Sequence, residues 1–226
     1  MMKSPAQRHF ERVSAEQAAA SAAPGESLAG ANAYELMLVK LSTDRRRLKS
    51  IASIEQKIKV KRDELLPEYV DYVTGSLSGG RGAQDDVLTT VMIWRIDAGD
   101  YAGALDIARY AIKHRMTLPD QYDRPLATAI AEEFAEAALA DFKKGEAIDF
   151  VQLGEVAELT APADMHDQVR AKMHKAIGYA VQSTDSALAL QHLRRALELD
   201  SRVGVKQDIA RIEKASNAAG DTADRT

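Results

Sequence analysis

Apolar residues recur three and four positions apart along almost the whole chain, and no stretch alternates with a period of two. That pattern predicts an all-α protein. Ser4 is a natural cap and Pro5 suits a first helical position, so a short helix is expected over 6–20, with Ala6, Phe10, Val13 and Ala20 on one side. Residues 21–30 (SAAPGESLAG) read as a linker. From Ala33 to about Leu66 a long helix is predicted. Leu48, Ile51, Ile54, Ile58 and Leu65 share an apolar arc on it, the expected face for self-association or for docking on the rest of the chain.

Pro67 ends or kinks that helix. Shorter helices then follow: Glu68–Leu77, a helix from Asp85 to Ile96, Tyr101–His114, Pro125–Lys143, Phe150–Leu159, Asp164–Val181, Ala187–Leu199 and Val203–Ala215. Their separators are turn-formers: Ser78–Gly82, Asp97–Asp100, Leu118–Asp120, Gly145, Thr160–Pro162 and Ser183–Asp185. Four segments result: an N-terminal helix and linker (1–32), a long basic helix (33–66), a helical-hairpin body (67–216) and a small, polar tail expected to be disordered (217–226). Ala104, Ala108 and Ala111, like Ala189, Leu193 and Ala196, line one helix face, and their alanines let a neighbouring helix approach closely. They suggest tetratricopeptide-like units, although no strict 34-residue period runs through the chain.

Charge changes this picture more than composition does. Between Lys40 and Arg62 stand nine basic residues (Lys40, Arg45, Arg46, Arg47, Lys49, Lys57, Lys59, Lys61 and Arg62) against only Asp44 and Glu55, whereas the chain carries −4. Solvated helices ordinarily interleave Glu with Lys at i,i+4, and two acids among nine basic residues are too few for that. A concentrated positive field in an acidic protein recruits a polyanion, so these nine are the candidate nucleic-acid contacts, with Arg46, Lys49 and Lys57 opposite the apolar arc. Lys3, Arg8, His9 and Arg12 form a secondary candidate arm.

Other chemistry is thinly represented. No cysteine is present, which removes disulfides and thiolate metal sites. No apolar run reaches the length of a membrane span, and the N-terminus lacks a secretory core, so an intracellular location is expected. A hydrolytic metal site needs converging carboxylates. Asp85 and Asp86 are neighbours about 100° apart on a helix and serve better as cap and dipole partners. Asp97 and Asp100 flank a turn, and Glu132, Glu133 and Glu136 make a solvated face. The five histidines are scattered. No catalytic residue, metal ligand or cofactor site is therefore assigned. The glycine-rich Ser76–Gly82 lacks the phosphate-loop string and reads as a linker. Trp94 and Tyr110 are expected in the core.

Three blocks add a resemblance: Ser4-Pro5-Ala6-Gln7-Arg8-His9, then Tyr34-Glu35-Leu36-Met37-Leu38-Val39-Lys40-Leu41, then Gly82-Ala83-Gln84-Asp85-Asp86 through Trp94-Arg95 to Gly99-Asp100. Their order and spacing resemble the small terminase subunit of P-two-like temperate tailed phages, a family also labelled the terminase endonuclease subunit. The likeness covers roughly residues 2–215. It implies a DNA-packaging role in the cytoplasm of the bacterial host, with double-stranded phage DNA and a large ATPase subunit as partners; a homo-oligomer is expected because symmetric copies multiply weak phosphate contacts. Two alternatives remain open at this point. One is an endonuclease subunit that itself cleaves DNA, which alone would call for a divalent metal; the other is a tetratricopeptide-like interaction scaffold.

Overall fold

The computed structural model describes residues 3–119 and 124–223 and divides the chain into two compact units, Met1–Leu126 and Ala127–Thr226. The described residues form helices and turns, with one isolated bridge between Ser27 and Gln84. The expected all-α fold is present.

In the first unit, α1 spans Pro5–Ser21, capped by Ser4, whose hydroxyl accepts from the Gln7 amide while the Gln7 side chain reaches back to the Ser4 amide. Its packing face differs from the expected one. Phe10 is 68% exposed, whereas Ala15 and Ala19 are buried. The reason lies on α4 (Leu66–Gly79), where Gly75 and Gly79 lie so close to α1 that a Cβ at either would stand 2.2 and 2.3 Å from the carbonyl oxygens of Arg12 and Glu16. Backbones that close admit only the smallest side chains between them, so the alanines turn in and Phe10 turns out.

The helix expected to run unbroken over 33–66 is interrupted. α2 covers Asn32–Ser50, residues 51–53 are extended, and α3 covers Ile54–Val60. Ser53 restarts the helix by accepting from the Gln56 amide. A π-turn over Lys61–Leu65 then leads directly into α4. Pro67 does not end the helix, because the wider turn ahead of it absorbs the missing N–H and the bulk of the ring. The expected boundary at 66/67 is thus continuous helix, and the real break lies sixteen residues earlier.

The 21–30 linker is pinned down: the Gly25 amide donates to the Gly82 carbonyl at 2.9 Å, the Gln84 amide to that of Glu26 at 2.8 Å, and Leu28 is buried. α5 (Asp86–Asp97) is buried on almost every side from Val87 to Trp94, which marks it as the central helix of the unit. α6 (Tyr101–Lys113) packs on it after the Gly99 turn. The break predicted at Leu118–Asp120 falls partly outside the described residues.

The second unit holds most of α7 (Leu126–Lys144), then α8 (Phe150–Thr160), α9 (Asp167–Val181), α10 (Ser186–Leu199) and α11 (Lys206–Ala223). Val181, Ala189, Leu193, Val205, Ile209 and Ile212 form the core joining the last three. α9 and α10 make a tightly packed hairpin, an arrangement that tetratricopeptide units share with any helical hairpin. α11 continues past Ala215 to Ala223, overlapping the tail expected from 217; residues 224–226 lie outside the described ones.

Candidate nucleic-acid interface

The nine basic residues fall into two groups once their partners are known. Lys40 pairs with Asp44 at 2.9 Å and lies over the Tyr69 ring, 4.9 Å from its centroid. Asp44 is itself buried and accepts from the Tyr69 hydroxyl at 2.7 Å. The Arg45 guanidinium donates to the Thr90 hydroxyl at 2.6 Å, tying α2 to α5. Lys61 pairs with Asp97, and Arg62 donates to the Ala98 carbonyl at 2.9 and 2.7 Å. These two cations thereby sit at the C-terminal end of α5, where its dipole is negative. Arg47 pairs with Glu64 across to the π-turn.

Those five contacts hold the unit together, but not equally firmly. Arg47 and Glu64 are each about half exposed, and such pairs contribute under ~1 kcal/mol, so Arg47 is readily redirected to another anion. Lys40, Arg45 and Lys61 are largely covered and committed. The remaining four, Arg46, Lys49, Lys57 and Lys59, have no acidic partner among the described residues. Arg46 touches only its own helix, at Ser42 and Thr43. Arg46, Lys49 and Lys59 are exposed and Lys57 is half-buried. They stand in pairs on either side of the 51–53 break.

The break also divides the apolar arc. Leu48 and Leu65 are buried in the core of the first unit, Ile51 and Ile58 are half-buried, and Ile54 is 75% exposed. Of the secondary arm, Lys3 pairs with Glu11 and Arg8 with Asp71 of α4, while His9 and Arg12 stay exposed.

The acids singled out in the sequence are occupied. Asp85 is buried, caps α5 by accepting from the Leu88 amide at 2.8 Å, and accepts from the Tyr72 hydroxyl at 2.8 Å. Burial raises its pKa to about 6, with the two hydrogen bonds opposing the rise. The same burial and the nearby carboxylate push the Tyr72 hydroxyl well above its ordinary value. Asp86 accepts from the Gln84 side chain, Asp97 holds Lys61, and Asp100 caps α6 while pairing with Arg95 at 3.3 Å. Glu132 and Glu136 both hold Lys172. The glycine-rich loop is fixed by the Gly82 amide donating to the Tyr110 hydroxyl at 2.9 Å. No three His, Asp or Glu side chains converge among the described residues.

One pairing was invisible in the sequence: His174 on α9 and His192 on α10 approach to 3.0 Å between Nδ1 atoms. Eighteen residues separate them, and only the hairpin brings them together. The break before Ser53, by contrast, had a signal in Ser53-Ile54-Glu55-Gln56, a serine followed three residues later by glutamine.

The family described as phage small terminase subunit matches residues 38–168. The terminase endonuclease subunit of Escherichia phage P2 is 51% identical over 215 residues, covering 94% of this chain and 85% of the relative. The probable terminase endonuclease subunit of Haemophilus phage HP1 (strain HP1c1) is 23% identical over 207 residues, covering 85% and 74%. No solved structure matches the chain. No described helix is long and apolar enough to cross a membrane.

Proposed function

Because this chain belongs to the phage small terminase subunit family, whose general role is DNA packaging, we propose that it holds viral DNA while a large subunit supplies the ATPase. The observation that carries the DNA-contact reading is the set of cations left without acids around the 51–53 break: Arg46, Lys49, Lys57 and Lys59. Arg47, in an exposed and weak pair, is the fifth residue available to a phosphate. The other four basic residues of the window serve the unit's own packing. Several copies acting together multiply a modest contact per copy, so a homo-oligomer in the cytoplasm of the infected cell fits the role.

Each phosphate neutralised releases counterions, so affinity for duplex DNA falls with salt by a slope of about −0.9 per contact. Reversing Arg46, Lys49, Lys57 and Lys59 to glutamate is expected to flatten that slope by about 3 to 4 per copy. The same change at Arg62 is expected to destabilise the fold instead. Binding isotherms at several salt concentrations make the test, and a slope unchanged in the quadruple variant rejects the reading.

The names of both relatives favour a second reading, in which the subunit itself cuts DNA. Phosphodiester hydrolysis of that kind uses divalent metal held by carboxylates. Nicking of supercoiled plasmid by the purified chain with magnesium, co-eluting with the protein and lost in an acidic-residue variant, is the outcome that establishes it.

A further inference from the structure

The His174–His192 pair lies in the second unit, away in sequence from the cations of the DNA-contact proposal, and the inference drawn from it stands independently. The rings meet nitrogen to nitrogen: Nδ1 atoms 3.0 Å apart, centroids 5.2 Å apart, planes inclined at 41°. Two lone pairs, or two N–H groups, would repel at that distance, so one Nδ1–H donates to the other Nδ1. With both Nδ1 positions taken by this bond, an additional proton has to go on an outer Nε2. Both rings then present outward N–H donors without breaking the bond between them.

The helices leave little room for the pair to separate. One turn beyond His174, Gly178 packs so closely on α10 that a Cβ there would lie 2.8 Å from Leu193 side-chain carbons. Both rings line a polar hollow of about 400 Å³, together with Gln191, Arg194, Arg195 and Glu198.

The hollow is lined by two guanidinium groups, Arg194 and Arg195, against one carboxylate, Glu198, although the unit around it carries seventeen acidic residues against twelve basic. Burial, joined by His192 and Arg195 on α10 and by Arg170 on α9, holds His174 neutral, with its pKa lowered to about 4. Burial lowers His192 as well. The nearby carboxylates are engaged: Glu198 pairs with Arg195 at 2.9 Å, and Glu213 on α11 with Arg194 at 2.6 Å. These are exposed pairs, weak enough for a stronger anion to displace.

We propose that this hollow is a proton-linked phosphate site, in which a phosphate group binds against Arg194, Arg195 and the two imidazoles and the pair takes up one proton as it does so. The coupling follows from the charges. Positive neighbours oppose protonation of the empty site, an oxyanion cancels them, and the linkage is reciprocal, so lower pH tightens binding. Two guanidinium groups and two ring N–H groups favour a ligand with several acceptor oxygens over a single carboxylate.

Calorimetric titration of the full chain with inorganic phosphate and with sulfate, at pH 6 and pH 8 and constant ionic strength, tests the site. Sulfate keeps its charge across that range, so any pH dependence belongs to the protein. The expected result is saturable binding of both anions, about tenfold tighter at pH 6 for sulfate. Uptake of about one proton is expected at pH 6, falling towards zero at pH 8, read from buffers of different ionisation enthalpy. The double variant His174→Gln/His192→Gln retains hydrogen-bonding capacity but has no imidazole to take the proton, and is expected to abolish the pH dependence. Imidazole nitrogen resonances of His174 and His192 should shift on addition of sulfate. Absence of saturable binding, equal affinity at both pH values, or an unchanged pH dependence in a folded His174→Gln/His192→Gln variant overturns the proposal.

Discussion

Asp85 shows what one buried side chain does for this fold. Its carboxylate begins α5 and receives the Tyr72 hydroxyl, so removing it disturbs two partners at once. Asp85→Ala loses a helix cap and leaves a buried hydroxyl without its acceptor, which is expected to cost about 2–4 kcal/mol in urea unfolding at neutral pH. Asp85→Asn behaves differently, because the amide oxygen still caps the helix while the burial penalty on a charge disappears. The native pKa, about 6, lies above the ordinary 3.8, so the folded state binds the proton more tightly than the unfolded chain. The stabilisation linked to that proton is therefore complete below about pH 4 and lost as pH rises through 6. Relative to the unaltered chain, Asp85→Asn should gain stability between pH 4 and 7, approaching about 3 kcal/mol. A difference that stays flat across that range shows that Asp85 is not buried as a charged group.

At the scale of elements, the contact between α1 and α4 sets two effects of glycine against each other. In a helix interior alanine is favoured over glycine by about 1 kcal/mol. At Gly75, however, a methyl group would stand 2.2 Å from the Arg12 carbonyl oxygen, where backbone and not a flexible side chain must give way. Overpacking of that kind costs about 1–3 kcal/mol or more, so Gly75→Ala and Gly79→Ala are expected to lower the melting temperature. A rise would show that α1 is not held this closely. The same contact explains why parts of the fold were legible in the sequence and others were not. Caps and turns announce themselves locally: Ser4-Pro5, Asp85, Asp100 and Gly145 place helix ends that the structure repeats to within a few residues. The buried face of α1 did not, because the choice of Ala15 and Ala19 over Phe10 is made by glycines sixty residues away. Pro67 misled for a related reason, its usual effect being absorbed by the π-turn before it. Among the candidate contacts, the sequence located the basic window but not its division into structural and available cations, since the partners Thr90, Asp97 and Ala98 come from a distant helix.

At the scale of the whole molecule, the proposed DNA contact requires an acidic chain with few available cations per copy to hold a polyanion firmly enough to matter. Four or five phosphate contacts give weak, salt-sensitive affinity, and multiplicity is the physical route to a stronger grip. In the proposed homo-oligomer, a surface joining the copies has to be apolar and free in the single chain. Leu48 and Leu65 fail that condition because the first unit already buries them, whereas Ile54, 75% exposed beside the break, meets it. Two substitutions therefore separate self-association from folding. Leu65→Asp places a charge in a packed interior and is expected to unfold the first unit, with loss of helical circular dichroism. Ile54→Asp is expected to leave the dichroism and melting temperature unchanged while lowering the mass measured by light scattering. It should also weaken DNA binding more at high salt, where each copy alone holds little. If Ile54→Asp leaves both the mass and the salt dependence unaltered, the contact between copies lies elsewhere, and the isoleucine is an isolated apolar side chain of the ordinary kind.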